Sequence, residues 1–297
     1  MNPLPYSLVI ATFERPAQLA ETLNSLAAQT RPPELTVIVD SSRDDRSRVV
    51  AESFQQKLRI EYERAIEPSS AKQRNQGAQR VSTPLVGFLD DDTTLSPDTF
   101  QQICKIFEQD ANGEAGGVAA RIRRIQHTPP RGLLWFYYRV QAGYSHPTYG
   151  GKLFGPAINC LPAYTESDGD LIPAEWLNST CVLYRTPLFK REKFPDFRGY
   201  SFMEDVHLSA RIGKTHKLFF HKSAMFEHHD APSSFKSDVQ QMARMRAQNQ
   251  RRVADETMSC NGAVFAMKFF LHRLFVTVSI FRNRGRDWWK EIIGTWS

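Results

Sequence analysis

Residues 84–92 read PLVGFLDDD, an apolar run of strand length that stops on three carboxylates, Asp90, Asp91 and Asp92. A short, continuous apolar segment bounded by turn residues fits a strand buried on both faces, as in parallel sheets covered by helices. Acids just beyond the C-terminal end of such a strand stand where open α/β sheets take their ligands. In an extended chain alternate side chains share a face, so Asp90 and Asp92 point one way and Asp91 the other. Three adjacent carboxylates repel one another unless a cation offsets them. Hard oxygen ligands of this kind suit Mg²⁺ or Mn²⁺, which keep open positions for substrate phosphates. A solvated acidic turn is the plain alternative, and the position at the end of an apolar strand weighs against it.

Working outward, the chain alternates strand-like and helix-like patterns from Ser7 to about Ile125, which predicts an α/β domain. Strands are expected at Ser7–Ala11, at Leu35–Val39 running into Asp40, and at Leu58–Tyr62. Leu19, Leu23 and Leu26 keep helical spacing behind Pro16. Ser70 with Gln73 three residues on has the form of a capping box. Ser96 and Pro97 read as an N-cap and first helical residue before the apolar face of Phe100, Ile103, Cys104 and Phe107. Residues 126–175 carry many aromatics without a period and read as a long functional loop. Regular patterning resumes with a strand at Cys181–Arg185, a helix at Met203–Ile212 and short strands at Lys217–Phe220 and Ala224–Glu227. From Pro232 a basic polar helix leads into an apolar, basic tail.

The 297 residues are 41% hydrophobic and 24% charged, which is ordinary globular material. A net charge of +6 favours anionic partners without choosing among them. Cys104, Cys160, Cys181 and Cys260 have no zinc-knuckle or disulfide spacing, and with no signal peptide evident the expected setting is the cytoplasm. Neither a P-loop nor a dinucleotide-binding glycine pattern is present, so phosphate charge has to be met by metal and side chains. The arginines and lysines of 239–252 come with no nucleic-acid-binding motif, and no nucleic acid is expected as partner. In the tail, Phe265, Phe269, Phe270, Leu274 and Phe275 accompany Lys268, His272 and Arg273, with Arg282, Arg284 and Arg286 and then Trp288 and Trp289 behind them. That is the composition of a helix lying on an anionic membrane surface, although a helix docked on the core would read similarly.

A second acid pair, Glu204-Asp205, opens the helix behind the aromatic loop Phe197–Phe202. Acids cap helix N-termini, but one carboxylate there could also take a proton from an attacking hydroxyl. His228 and His229 close a strand-like run, so at most one of them can join a given site.

The strings VIATFERPAQLAETLNSLAAQT (9–30), TVIVDSS (36–42), AKQRNQGAQRVSTPLVGFLDDD (71–92) and FMEDVHLSARI (202–212) together resemble glycosyltransferase family 2 and its GT-A fold, in the family's own order. The resemblance implies a Rossmann-like, mixed but mostly parallel sheet flanked by helices. It implies a catalytic domain over 1–230, with a nucleotide-sugar half at 1–120 and an acceptor half at 121–230, followed by a helical extension at 231–297. It further implies that Thr12, Glu14 and Arg15 line the nucleotide pocket and that Asp40 reads the base. Arg74 and Asn75 would lie near the diphosphate or base and Asp90 near the ribose, with Lys72 and Asp91 also binding the nucleotide sugar and Asp92 with His228 on the metal. Glu204 and Asp205 would be the catalytic pair, with Asp205 the base of an inverting transfer from a nucleotide-diphosphate sugar. The acceptor is expected to be a glycan, lipid-linked or a growing polysaccharide, on the inner face of the cell membrane. A catalytically inactive protein that keeps the fold and binds a membrane surface is the alternative. A nucleotidyltransferase would need a glycine-rich basic loop after the first strand, and ATFERP is not one.

Overall fold

The computed structural model describes residues 3–145, 148–165, 169–197, 201–231, 238–258, 262–283 and 285–297. In the first half, β1 (Tyr6–Thr12), α1 (Pro16–Ala27), β2 (Leu35–Asp40), α2 (Arg46–Ser53), β3 (Ile60–Arg64), α3 (Ser70–Ala78) and β4 (Leu85–Asp90) alternate. They are followed by β5 (Thr93–Leu95), α4 (Thr99–Gln109) and β6 (Ala115–Ile122). The strands align in the order β3-β2-β1-β4, all parallel. Leu8 and Ile10 pack on one face with Leu19, Leu23, Phe100 and Ile103, while Val9, Val37 and Phe88 pack on the other. Burial of both faces explains why β1, β2 and β4 read as unbroken apolar runs.

The second half completes this sheet. β10 (Cys181–Arg185) inserts antiparallel between β4 and β6, and β11 (Lys217–His228) lies parallel to β6. β5 and β9 (Leu171–Ala174) pair antiparallel with β11, giving nine strands among the described residues. The expected mixed, mostly parallel sheet with flanking helices is therefore present. β11 is one strand with a register break between His221 and Met225, where two short strands were expected.

Several boundaries differ from the sequence reading for physical reasons. Ser69, not Ser70, precedes α3. Gln73 does not reach back to cap; its amide donates to the carbonyls of Thr12 (3.0 Å) and Val39 (2.8 Å), tying together the ends of β1 and β2. α4 starts at Thr99 behind Asp98 because the Ser96 amide is still engaged with the Met225 carbonyl of β11. β3 starts at Ile60 because the Leu58 amide closes the end of α2 on Phe54.

The aromatic stretch 126–175 is not structureless. It holds α5 (Gly132–Ala142) and a small hairpin of β7 (Leu153–Phe154) and β8 (Ile158–Asn159), besides β9. Beyond β10 come α6 (Thr186–Glu192) and α7 (Glu204–Ile212), and after β11 three helices, α8 (Val239–Thr257), α9 (Gly262–Arg282) and α10 (Trp288–Trp296). Val253 and Ala254 of α8 and Phe265 and Phe269 of α9 share a buried cluster with Trp176, Phe197 and Val206, so the helical extension packs on the α/β body. Cys104, Cys160 and Cys181 are buried free thiols; Cys260 and Arg284 lie outside the described residues, as do 198–200 of the aromatic loop.

Candidate active site

The C-terminal ends of β1 and β4, the N-terminal turns of α3 and α7, and the end of β11 converge on one cleft of about 420 Å³. Thr12, Arg15, Arg74, Asp90, Asp91, Asp92, Glu204, Asp205 and His228 all line it. α3 can sit close enough to deliver Arg74 because residue 77 is glycine: a Cβ there would come within 2.5 Å of Val9 Cγ1 and 3.0 Å of Val39 Cγ2. Met203, directly before α7, adopts a left-handed backbone (φ 63°), a conformation an L-residue holds only under constraint from its surroundings.

The three aspartates differ in their partners, although Asp91 and Asp92 lie in the turn after β4 and share Arg15 Nη1 at 3.1 Å each. Asp91 is buried and accepts from Thr12 Oγ1 (2.7 Å) and Arg15 Nη1 (3.1 Å). Its carboxyl is pushed up to about 6 by burial, against the pull of Thr12 and Arg15. Asp90, Asp92 and His228 instead bring one ligand atom each within 4.8 Å of one another. Two carboxylates and an imidazole are a donor set that fits Mg²⁺ or Mn²⁺. His228 Nε2 lies 3.1 Å from Asp92 Oδ1, and this contact holds the imidazole pKa above its ordinary value. Burial works against the Asp92 charge, but His228, the Ala231 amide and Arg15 together keep its pKa below the usual range. His229 faces away and pairs with Thr94 Oγ1 at 2.8 Å, so one histidine of the pair joins the site.

Arg74 joins the two acid groups. Its guanidinium is buried and donates to Asp90 (2.6 Å) and to Glu204 (3.0 Å). Burial raises the pKa of both Glu204 and Asp205; for Glu204 the neighbouring Asp205 charge adds to the rise and Arg74 opposes it. The two carboxylates nevertheless differ in circumstance. Glu204 is held by the Arg74 side chain, whereas Asp205 accepts the backbone amide of Val206 (2.7 Å) and faces the cleft.

Four residues expected in the pocket lie outside its lining. Glu14 has a positive φ, accepts no cleft partner and lies 3.8 Å from Arg43 at the surface. Asp40 is wholly buried, its carboxylate occupied by Ser42, Tyr62 and Arg64, which leaves no free face for a base. Lys72 pairs with Glu67 and Asp196, and Asn75 exchanges two hydrogen bonds with the backbone of Phe194. Conversely, Gln73, Ser179, Thr180 and Ser201 line the cleft, as do Gln241, Met242 and Met245 of α8. Asn178-Ser-Thr180 directly before β10 was a readable hint, since polar residues preceding a buried strand face the sheet edge; nothing in the sequence of α8 pointed to the cleft.

The sequence profile described as "Glycosyl transferase family 2" matches residues 7–159, just over half of the 297 residues. The chain belongs to glycosyl transferase family 2. The chain is similar to a validoxylamine A glucosyltransferase of Streptomyces hygroscopicus subsp. limoneus, 38% identical over 101 residues that make up 33% of this chain and 22% of the relative. The matched segment thus spans about a fifth of the relative's length. Among solved structures, S. aureus TarS 1-349 in complex with UDP-GlcNAc superposes with a TM-score of 0.60 at 15% identity, covering 98% of this chain and 79% of that one. GalNAc-T7 with UDP, GalNAc and Mn²⁺ gives 0.59 at 12% identity, over 94% of this chain and 58% of the other. At such identities the likeness is one of fold, and the fold is the GT-A arrangement expected of family 2.

Proposed function

We propose that this family 2 chain transfers a sugar from a nucleotide-diphosphate donor to an acceptor hydroxyl, with inversion at the anomeric carbon. The observation that carries the reading is the meeting of two unlike acid groups in one cleft, bridged by Arg74. Asp205, bound only through backbone amides, is the acid available to take the acceptor proton, and its raised pKa suits a base near neutrality. Glu204, fixed by Arg74, orients the start of α7 and keeps Asp205 in place. Arg15, Thr12 and Gln73 line the cleft beside the aspartates and are assigned to the donor end; a nucleotide-sugar donor is supported by solved structures of like fold whose complexes carry UDP, UDP-GlcNAc or GDP-Man. A Mg²⁺ or Mn²⁺ ion held by Asp90, Asp92 and His228 would supply Lewis-acid stabilisation of the leaving diphosphate. The acceptor we favour is lipid-linked or a growing polysaccharide, met at the cytoplasmic face, a choice supported by the Met242 and Met245 side chains that α8 contributes to the cleft.

Asp205→Asn keeps the shape and removes the base. Turnover of the cognate donor, found by screening UDP-, GDP- and dTDP-sugars with Mg²⁺ or Mn²⁺, should fall by roughly 10² to 10⁴ while donor affinity stays within about twofold. Near-wild-type transfer by this variant would remove Asp205 from the mechanism, and equal loss of donor binding would make its role structural.

A further inference from the structure

α9 packs on the body through Phe265 and Phe269, yet it exposes Val264, Met267, Leu274 and Val278 on its other side, spaced by three, seven and four residues. Such spacing keeps one continuous apolar stripe along a helix, with no charged side chain among the four. Neighbouring helices widen it. Tyr137 of α5 stacks on Phe275 at 4.1 Å and Gln141 donates to the Lys268 carbonyl, so α5 runs beside α9. Trp296 of α10 donates to Thr277 Oγ1 at 2.8 Å, which sets α10 along α9 as well. Both flanks present large apolar groups to solvent: Leu133 (89% exposed) and Phe136 (60%) from α5, Trp289 (49%) and Ile293 (46%) from α10.

Charge is concentrated in the same segments. Residues 131–145 hold two basic residues and no acid, and residues 262–297 hold six basic and two acidic residues. Together they carry six net positive charges, as many as the whole chain, so the remainder is net neutral. A broad apolar patch of this kind calls for a cover. A second copy of the same face would bring like charges together. α9 has the length and mean hydropathy (1.6) of a membrane span, but Lys268, His272 and Arg273 sit near its middle, and α5, α8 and α10 pack along it.

We propose that the α5–α9–α10 face is a docking surface for an anionic lipid bilayer, with α9 lying in the plane of the headgroups. The apolar stripe enters the acyl boundary, and Arg282 and Arg286, both exposed, meet lipid phosphates. This inference does not depend on the transferase reading.

The test is co-sedimentation of the full chain with vesicles of phosphatidylcholine containing about a third phosphatidylglycerol, with pure phosphatidylcholine as control. Binding is expected to the anionic vesicles in low salt, with at least about tenfold weakening in the double variant Arg282→Glu/Arg286→Glu. Met267→Asp/Val278→Asp, at exposed positions, should abolish sedimentation while leaving the thermal midpoint within a few degrees. Brominated lipid should quench Trp289 in the wild type. The proposal is overturned if the Asp variant still binds, if neutral and anionic vesicles bind alike, or if light scattering shows a lipid-free dimer that the Asp variant alone dissociates.

Discussion

Arg74 is the only described side chain that contacts both Asp90 and Glu204, and it does so from a buried position. Removing one partner of a buried ionic group costs more than the pair itself contributes, because the charge left behind has lost its solvation. Arg74→Met should therefore lower unfolding free energy by about 3–5 kcal/mol, read by urea titration. Arg74→Lys keeps the charge but not the fork that spans two carboxylates, and should recover only part of that loss. Much of this site was legible beforehand. The alternation rule allowed one histidine of His228-His229, as the structure has it, and it grouped Asp90 with Asp92; Asp91 and Asp92, however, lie in a turn and share Arg15 instead of facing apart along a strand. Asp40 and Asn75 illustrate what was not: the family resemblance marked them as ligands, but their partners, Tyr62, Arg64 and Phe194, are set by tertiary packing that local pattern does not encode.

Among the elements, α5 was invisible to periodicity because LLWFYYRV is apolar nearly all round, so no single face stands out; its C-terminal signal, Gly143 in the left-handed region, was available (φ 77°). The buried strands were easy for the opposite reason, since strand length and flanking turn residues mark them even without alternation. α5 is held to α9 by Tyr137, whose hydroxyl lies 2.6 Å from His272 Nδ1. Burial presses the His272 pKa down from 6.5 to about 4, so the folded state favours the neutral ring. A histidine of depressed pKa contributes stability that is present above 6.5 and lost as pH falls toward 4. The loss should approach about 3.5 kcal/mol at most (~1.4 kcal/mol per pKa unit), and His272→Gln should flatten the slope of stability between pH 7 and pH 5. Hydrogen exchange in α5 and α9, measured at both pH values, would locate the effect on these helices.

At the scale of the whole molecule, the extension and the α/β body share a core. A chain ending at Ala254 would lose Phe265 and Phe269 from the cluster around Phe197 and Val206, and with Glu256 the 2.6 Å contact to His207 on α7. Loss of two buried phenylalanines alone is worth about 3–5 kcal/mol each, so the truncated chain should melt well below the full one by differential scanning calorimetry. The sheet order carries a consequence for biosynthesis. β4 finds its outer neighbour, β10, only when Cys181–Arg185 emerges, some ninety residues after its own synthesis. Until then a nascent chain presents an apolar, unpaired strand edge ending in Asp90, which is the kind of surface on which other chains recruit themselves. The cleft is unfinished longer still, since His228 and Met245 arrive after everything they face. Time on the ribosome, rather than final stability, is where this fold is most exposed to going astray.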